Sequence, residues 1–545
     1  MRLDRFWIGE YKNLKDVMIN FDENNWITVV IGWNGTGKSN VLESLATLFR
    51  DLVMKKRMPS FQYKLRYKIR DYWVSIDANP KRDGEKYIIH VQSLKNLGVK
   101  PHVQHKLPFA HEDSGEKISF TKFLDAQDLY LPKYVFGYYS GTSNRMEEVF
   151  RKYLVQHDAK LRRGEDPGLR RLFYARPVHS QFVLLAFILQ KDEAVTRLLN
   201  EQLGIEEEGS LDSVLFVLRQ PPWDRTGDED FFWGAKGVVR RFLDKLLAVS
   251  LAPIRIKRRV EVSLWNKKNL GFRYLYVPNL KALSDLMSQQ TPREFFRDIE
   301  STYVSELIDE VRIRVKLRNI DGSVTFRELS EGEQQLLTVL GLIRFTSEEE
   351  SLFLLDEPDT HLNPKWSVDY LNFLQEFVGE TDKKRNSIHI VLTTHNPISI
   401  ADLEKEQVQI LRRDPDSLSI SSQQPEIHPR GMGYSGLVMS DMFGLAAALD
   451  NTTLKLLERK RLLSSKSEPL TVDEKTELAK INMQLEEYGF RYDVRDPVFA
   501  EYLRLRYQHQ IERKSNLSDL ERGERLQVTK SLIERALQSM KGEDE

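Results

Sequence analysis

The stretch Gly32-Trp33-Asn34-Gly35-Thr36-Gly37-Lys38-Ser39, which satisfies GxxxxGK[ST], constrains this chain more than any other. It follows Trp26-Ile27-Thr28-Val29-Val30-Ile31, a β-branched run suited to a buried strand, and Val41, Leu42, Leu45 and Leu48 then recur at helical spacing. Strand, glycine-rich loop and helix in that order let backbone amides curl around phosphate oxygens, with the helix start adding favourable potential for an anion. Lys38 is expected at the β- and γ-phosphates and Ser39 on Mg²⁺, with Asn34, Gly35, Thr36, Gly37 and Asn40 in the same nucleotide-binding stretch. The bland alternative, a glycine turn before an ordinary lysine, would not require this context.

Two further stretches fit the same chemistry. Leu352-Phe353-Leu354-Leu355-Asp356-Glu357 is an apolar strand ending in two acids, as when a central parallel strand delivers carboxylates to the phosphate edge of a sheet. Asp356 is expected in the Mg²⁺ shell and Glu357 as the base that activates water. Leu329-Ser330-Glu331-Gly332-Glu333 precedes a helix with Leu336, Val339, Leu340 and Ile343 on one face. Ser330 and Glu333 there form a capping box, or else Ser330's hydroxyl and Gly332's amide point outward at a γ-phosphate.

The series resembles the ATP-binding-cassette (ABC) ATPases: phosphate loop, LSxGE signature, Asp-Glu ending an apolar strand, then Thr394-His395 closing the strand Ile388 to Leu392. The resemblance implies an α/β fold: an ABC-type ATPase head (P-loop NTPase) with a long, mainly helical insertion and a helical C-terminal region. It also implies a head-to-tail dimer around ATP, with Ser330 and Gly332 acting in trans, Glu333 among the nucleotide-binding residues, and His395 meeting the γ-phosphate in cis, beside the catalytic Glu357 and Lys38. Lys38 and Ser330 lie 292 residues apart, which disfavours a compact transporter cassette. Tyr11-Lys12-Asn13-Leu14-Lys15 looks like the first strand of SMC-like and RecF ATPases, making Asn13 and Lys15 adenine-side candidates. Asp356-Glu357-Pro358-Asp359-Thr360-His361-Leu362-Asn363-Pro364 is similar to the DEPxxxLxP form of OLD-like and RecF-like ATPases. Asn363 stands where the cassette's second aspartate is usual, and would equally cap a helix with Pro364 at its first position. No glutamine has an obvious Q-loop context; Gln127 and Gln181 are candidates, and the turn Tyr138 to Asn144 occupies the expected place.

Four stretches resemble the PtuA family, the ATPases of prokaryotic Septu antiphage systems and related retron modules: Val135 to Gly141, Phe231-Phe232-Trp233-Gly234-Ala235, Pro429-Arg430-Gly431, and Ser440 to Leu445. That likeness implies a separately encoded HNH nuclease partner, with this ATPase controlling it. Two other functions stay open: an SMC/RecF-like DNA-repair ATPase acting directly on DNA, and a slow nucleotide-gated scaffold that holds an effector inactive.

Composition narrows the rest. Lys plus Arg and Asp plus Glu each number 81 among 545 residues, so no global field attracts polyanions and any basic site must be local. The absence of cysteine removes disulfides, thiolate zinc sites and Cys nucleophiles, and fits a reducing compartment. The start lacks a signal peptide's apolar segment, and the longest aliphatic stretch, Phe182 to Leu189, is far short of a span, so a cytoplasmic, non-membrane chain is expected. The expected organisation is an N-terminal lobe of the head over 1–145, with strands from about 60 to 140 in an antiparallel lobe, and a mainly helical insertion over 146–300. A C-terminal lobe over 301–430 carries signature, acids and histidine, and 431–545 is helical. Asp414-Pro415-Asp416 reads as a turn rather than a nuclease DxD, and Arg504 with His509 as a chance Rx₄H pair. Basic clusters such as Arg255 to Arg259, with Phe173, Tyr174, Phe231, Phe232 and Trp233, leave nucleic-acid contact open against the alternative of solvated faces and core aromatics.

Overall fold

The computed structural model describes residues 1–94, 115–190, 192–206, 211–224, 229–263, 266–318, 323–346, 349–379, 382–445, 447–466, 470–488 and 527–535. They fall into two compact units, Met1–Arg430 and Gly431–Glu545. In the first, β1 (Arg2–Tyr11) and β2 (Leu14–Asn20) form a hairpin, and β3 (Ile27–Gly32) leads through the glycine-rich loop into helix α1 (Lys38–Val53). Then come β4 (Tyr63–Ile69), β5 (Tyr72–Ala78), β6 (Tyr87–Ser93), β7 (Glu116–Ile118), β8 (Tyr134–Tyr139) and β9 (Leu172–Tyr174). β10 (Leu211–Arg219), β11 (Leu251–Ser263), β12 (Asn266–Val277), β13 (Ile308–Lys316) and β14 (Ser323–Thr325) follow, and β15 (Ser351–Asp356), β16 (Ile388–Thr393), β17 (Val408–Arg413) and β18 (Ile420–Gln423) close the unit.

These strands build three sheets, ordered β2-β1-β4-β5-β6-β7, β18-β17-β3-β16-β15-β8-β9 and β11-β12-β10-β13-β14. The seven-stranded sheet is parallel except for the edge strand β18, so β3, β15, β16 and β8 end on one side. β15, with Leu352 to Leu355 all buried, is the continuous apolar strand that burial on both faces demands. On one face Leu354, Val135 and Val391 pack with Val41, Leu42, Leu45 and Phe49 of α1, which Phe6, Leu65 and Tyr67 of the antiparallel sheet complete from the other side. Each such side chain contributes roughly 1.5–3 kcal/mol when fully buried, so burial rather than capping holds α1, whose Gly37 N-cap makes no side-chain hydrogen bond. On the opposite face Phe353 stacks on Phe136 at 4.6 Å, and a chain of rings continues through Phe173 and Phe296 into the helices.

Two stretches differ from expectation. Lys133–Tyr139, anticipated in the antiparallel lobe, supplies β8 of the parallel sheet: Val135, Phe136 and Gly137 are buried on both faces, whereas β4 to β6 alternate as half-buried strands do. The 146–300 stretch carries helices but also β10, β11 and β12 of a five-stranded antiparallel sheet. There the basic cluster Arg255 to Arg259 is part of an extended strand. In the second unit, helices Asn451–Ser464 and Val472–Glu487 pair through Leu457, Leu463, Ile481 and Leu485, each started by a cap, Asp450 and the Thr471–Glu474 capping box. Among the described residues no helix is long and apolar enough to cross a membrane.

The helix Glu331–Thr346 passes so close to Val178–Ile188 that a Cβ on Gly341 would lie 2.3 Å from Val183 Cγ1. Gly341→Ala is therefore expected to destabilise by about 1–3 kcal/mol, read as a lower thermal midpoint, and Val183→Ala in the same chain to recover most of it. An unchanged midpoint for the single variant would refute the close crossing.

Candidate nucleotide site

The loop between β3 and α1 presents Trp33, Asn34 and Gly35 to solvent and buries Thr36 and Lys38. Thr36 closes the turn, its N–H and hydroxyl both donating to Trp33 O at 3.2 and 2.8 Å. Lys38 Nζ donates to Gly32 O at 2.9 Å and Trp33 O at 3.3 Å. Burial pushes its ammonium pKa down, against the pull of the Glu357 and Asp356 charges. Gly37 is required here: its φ is 92°, and a Cβ would meet Leu14 Cδ2 at 2.7 Å and Asn13 Oδ1 at 2.9 Å, because the tip of the β1–β2 hairpin presses on the loop. Asn13 Nδ2 donates to Gly35 O at 3.0 Å and Asn40 Nδ2 to Asn13 Oδ1 at 2.6 Å. Lys12 and Tyr11 tie the same hairpin to Glu43 of α1. Lys15 instead faces Glu10 along the hairpin at 3.8 Å, both largely exposed.

Beside this loop the register sets Asp356 opposite Thr393 on β16 and Tyr139 on β8. Thr393 Oγ1 donates to Asp356 Oδ1 and accepts from Glu357 N–H at 3.1 Å, and the same N–H reaches Thr393 O. Asp356 is 3% exposed; burial raises its pKa, opposed by hydrogen bonds from Thr393 and Ser39 and by Lys38. Glu357 breaks the strand with φ 53°, a left-handed conformation that costs a non-glycine residue of order 1 kcal/mol and turns its side chain out of the sheet. Its carboxylate lies 3.0 Å from His395 Nε2, a hydrogen bond that holds its pKa below the usual range. Thus Ser39, Asp356, Glu357, Lys38 and His395 are drawn together.

The signature turns out to have the capping-box geometry. Ser330 N–H and hydroxyl donate to Glu333 Oε2 at 2.6 and 2.8 Å, and Glu333 N–H returns to Ser330 Oγ at 3.3 Å. Gly332 lies against the loop after the acids: a Cβ there would be 2.5 Å from His361 O. Asn363 caps the helix Pro364–Val378 by accepting from Trp366 N–H at 2.9 Å, and Asp414 accepts from Asp416 and Ser417 N–H as a turn residue does. Arg504 and His509 lie outside the described residues.

Several contributors were not singled out from sequence. Thr393 is one; Gln335, whose Nε2 donates to Glu357 O at 3.4 Å, is another. Asp359 receives Thr394 Oγ1 at 2.7 Å, fixing the turn that carries His395. Arg145 begins the helix after the Ser140–Asn144 turn and reaches Asn40 Oδ1 at 3.4 Å. Gln127 starts the short helix Gln127–Tyr130, its carbonyl accepting from Arg171 Nη2, and Gln181 lies within the helix Val178–Ile188.

The residues fit a magnesium nucleotide. The start of α1 has amides without a side-chain cap, and a buried carboxylate bonded to the Ser39 hydroxyl calls for a cation. Mg²⁺ is ordinarily held by one or two protein groups together with substrate phosphates, which Ser39 and Asp356 could supply.

Comparison with known proteins agrees. A family model described as "AAA ATPase domain" matches residues 1–156, and one described as "AAA domain, putative AbiEii toxin, Type IV TA system" matches residues 231–401. The "Septu protein PtuA" of Bacillus mycoides (strain KBAB4) is 26% identical over 223 residues, 37% of this chain and 30% of that protein. The "Retron Vc95 probable ATPase" of Vibrio cholerae serotype O1 biovar El Tor is 22% identical over 442 residues, 75% of this chain and 73% of that protein. The chain thus spans under a third of PtuA's length. A solved Smc head bound to the C-winged helix domain of ScpA aligns with a TM-score of 0.32 and 10% identity, covering 78% of this chain and 98% of that one. Motif order on one sheet edge and the two domain matches mark the chain as an ATPase, similar to PtuA and to the retron ATPase.

Proposed function

We propose that the chain is the ATP-binding and ATP-hydrolysing subunit of a cytoplasmic prokaryotic antiphage defence complex. In this reading it dimerises head-to-tail around ATP, and its nucleotide state controls a partner nuclease of the HNH type. The observation that carries the catalytic part is the Glu357–His395 pair at 3.0 Å, one residue from the buried Asp356 and its bond to Ser39. The two acids divide the work by environment. Asp356, buried and hydrogen-bonded, would hold a cation with Ser39; Glu357, half-buried and kept ionised by His395, would orient a water and take its proton. Bound at Ser39 and Asp356, Mg²⁺ would neutralise charge on the β- and γ-phosphate oxygens. Lys38 would leave the Gly32 and Trp33 carbonyls for those oxygens, and His395 would stay on Glu357 while facing the γ-phosphate. Asn13, with Gly35 and Asn40, would border the base side; Lys15, turned to Glu10, has weaker support there.

Dimerisation is supported by where the signature's contacts go. Within the chain Ser330 bonds Glu333, and Gly332 rests on His361. A second copy's site is what the Ser330 hydroxyl and Gly332 amide would complete, with Glu333 bracing Ser330. The defence setting and the nuclease partner rest on the likeness to PtuA and the retron ATPase.

Glu357→Gln is expected to lower ATP turnover by about 10²–10⁴-fold while ATP binding persists; an unaffected rate would remove Glu357 as the base. Lys38→Ala and Ser330→Arg should each be inactive alone, yet recover about a quarter of wild-type turnover when combined in equal amounts, because about half of all dimers are then mixed and each mixed dimer owns one intact composite site of two. No recovery would overturn the trans arrangement. Co-expression with an HNH protein encoded beside this chain should give a complex whose nuclease activity changes with added ATP; no association would sink the nuclease arm while leaving the ATPase intact.

A further inference from the structure

The β11–β12 hairpin is longer than the sheet that carries it. β12 pairs with β10 only from Phe272 to Val277, while β11 and β12 continue pairing outward from Lys257–Gly271 through Arg258–Leu270, Arg259–Asn269, Val260–Lys268 and Glu261–Lys267. Beyond the third strand stands a two-stranded ribbon about 13 Å long at roughly 3.3 Å per residue. Such a ribbon buries too little apolar surface to be there for stability, and adjacent like charges weaken it further.

Its residues are cationic on both faces. Strand alternation puts Arg258 with Lys268 on one face and Arg259 with Lys267 on the other, and all four are exposed. Arg258 Nη1 donates to Tyr274 Oη at 2.7 Å and its guanidinium lies 5.1 Å from the Phe272 ring centre, so it lies back along its face of the ribbon toward the sheet. Glu261 is the acid of this stretch and pairs with Lys267 at 2.6 Å. At the base, Arg255 stacks over Phe231 at 4.5 Å. In a chain of zero formal net charge this is a local concentration of positive charge on a projecting element.

We infer that the β11–β12 ribbon enters the major groove of double-stranded DNA, with Arg258 and Lys268 facing one phosphate backbone and Arg259 and Lys267 the other. A two-stranded ribbon fits the roughly 12 Å wide major groove of B-form DNA, whereas the deep, narrow major groove of duplex RNA excludes it. An acidic protein surface would need cations on one face only. The inference stands on the ribbon and is independent of the ATPase reading.

The test measures binding of a labelled DNA duplex of about 30 base pairs by the full-length protein, with fluorescence anisotropy across a salt series. The wild type is expected to bind at about micromolar strength near 0.1 M salt, and Arg259→Gln/Lys268→Gln to bind at least about tenfold more weakly, with a salt slope smaller by about 1.8. ATP turnover without DNA should stay at the wild-type level, showing the variant folded. An RNA duplex of the same sequence should bind at least about tenfold more weakly than DNA. No DNA binding by the wild type, equal binding by the variant, or equal binding of RNA would overturn the inference. So would polyglutamate binding as tightly as DNA, which would point to an acidic protein instead.

Discussion

One hydroxyl organises the nucleotide edge. Thr393 Oγ1 donates to the buried Asp356 carboxylate and accepts from the backbone N–H of Glu357, so a single side chain on β16 fixes both acids at the end of β15. Without it a carboxylate 3% exposed would lose a charge-assisted donor, and a left-handed glutamate its anchor. The parallel register makes this possible, since it puts Asp356 beside Thr393 and Thr393 beside Val30 of the strand that feeds the phosphate loop. Sheet geometry and site chemistry are therefore one constraint.

The parts of the site legible from sequence are those whose role is local. A phosphate loop is a run of backbone conformations, and a strand ending in Asp-Glu carries its own direction; both survive as short strings. Thr393, Gln335 and Arg145 were not visible because each acts across the chain: Thr393 through strand register, Gln335 from the preceding helix, Arg145 from a helix starting more than a hundred residues after the loop it approaches. Lys15 shows the converse. It shares a strand with Leu14, which packs on Gly37, yet alternation sends it toward Glu10.

The fold was legible in the same measure. Strand, loop and helix around Lys38, the strands before residue 94 and the helical character of the second unit follow directly from pattern. Lys133–Tyr139 was assigned to the wrong sheet because a short apolar run does not reveal its neighbours, and burial on both faces decided for the parallel sheet. Between 211 and 277 an apolar strand resembles a buried helix, and a basic cluster hid the period-two alternation of β11.

Gly332 touching His361 O has a mechanical consequence. The segment from Glu357 to Asn363 begins at the proposed general base and ends at a helix cap, and midway it bears on the first turn of the helix Glu331–Thr346. With van der Waals contact already reached, a shift of that segment on phosphate release has nowhere to dissipate before it pushes Ser330. In the proposed pair, each head would thus loosen its grip on its neighbour's nucleotide as its own is spent, making turnover alternate rather than coincide.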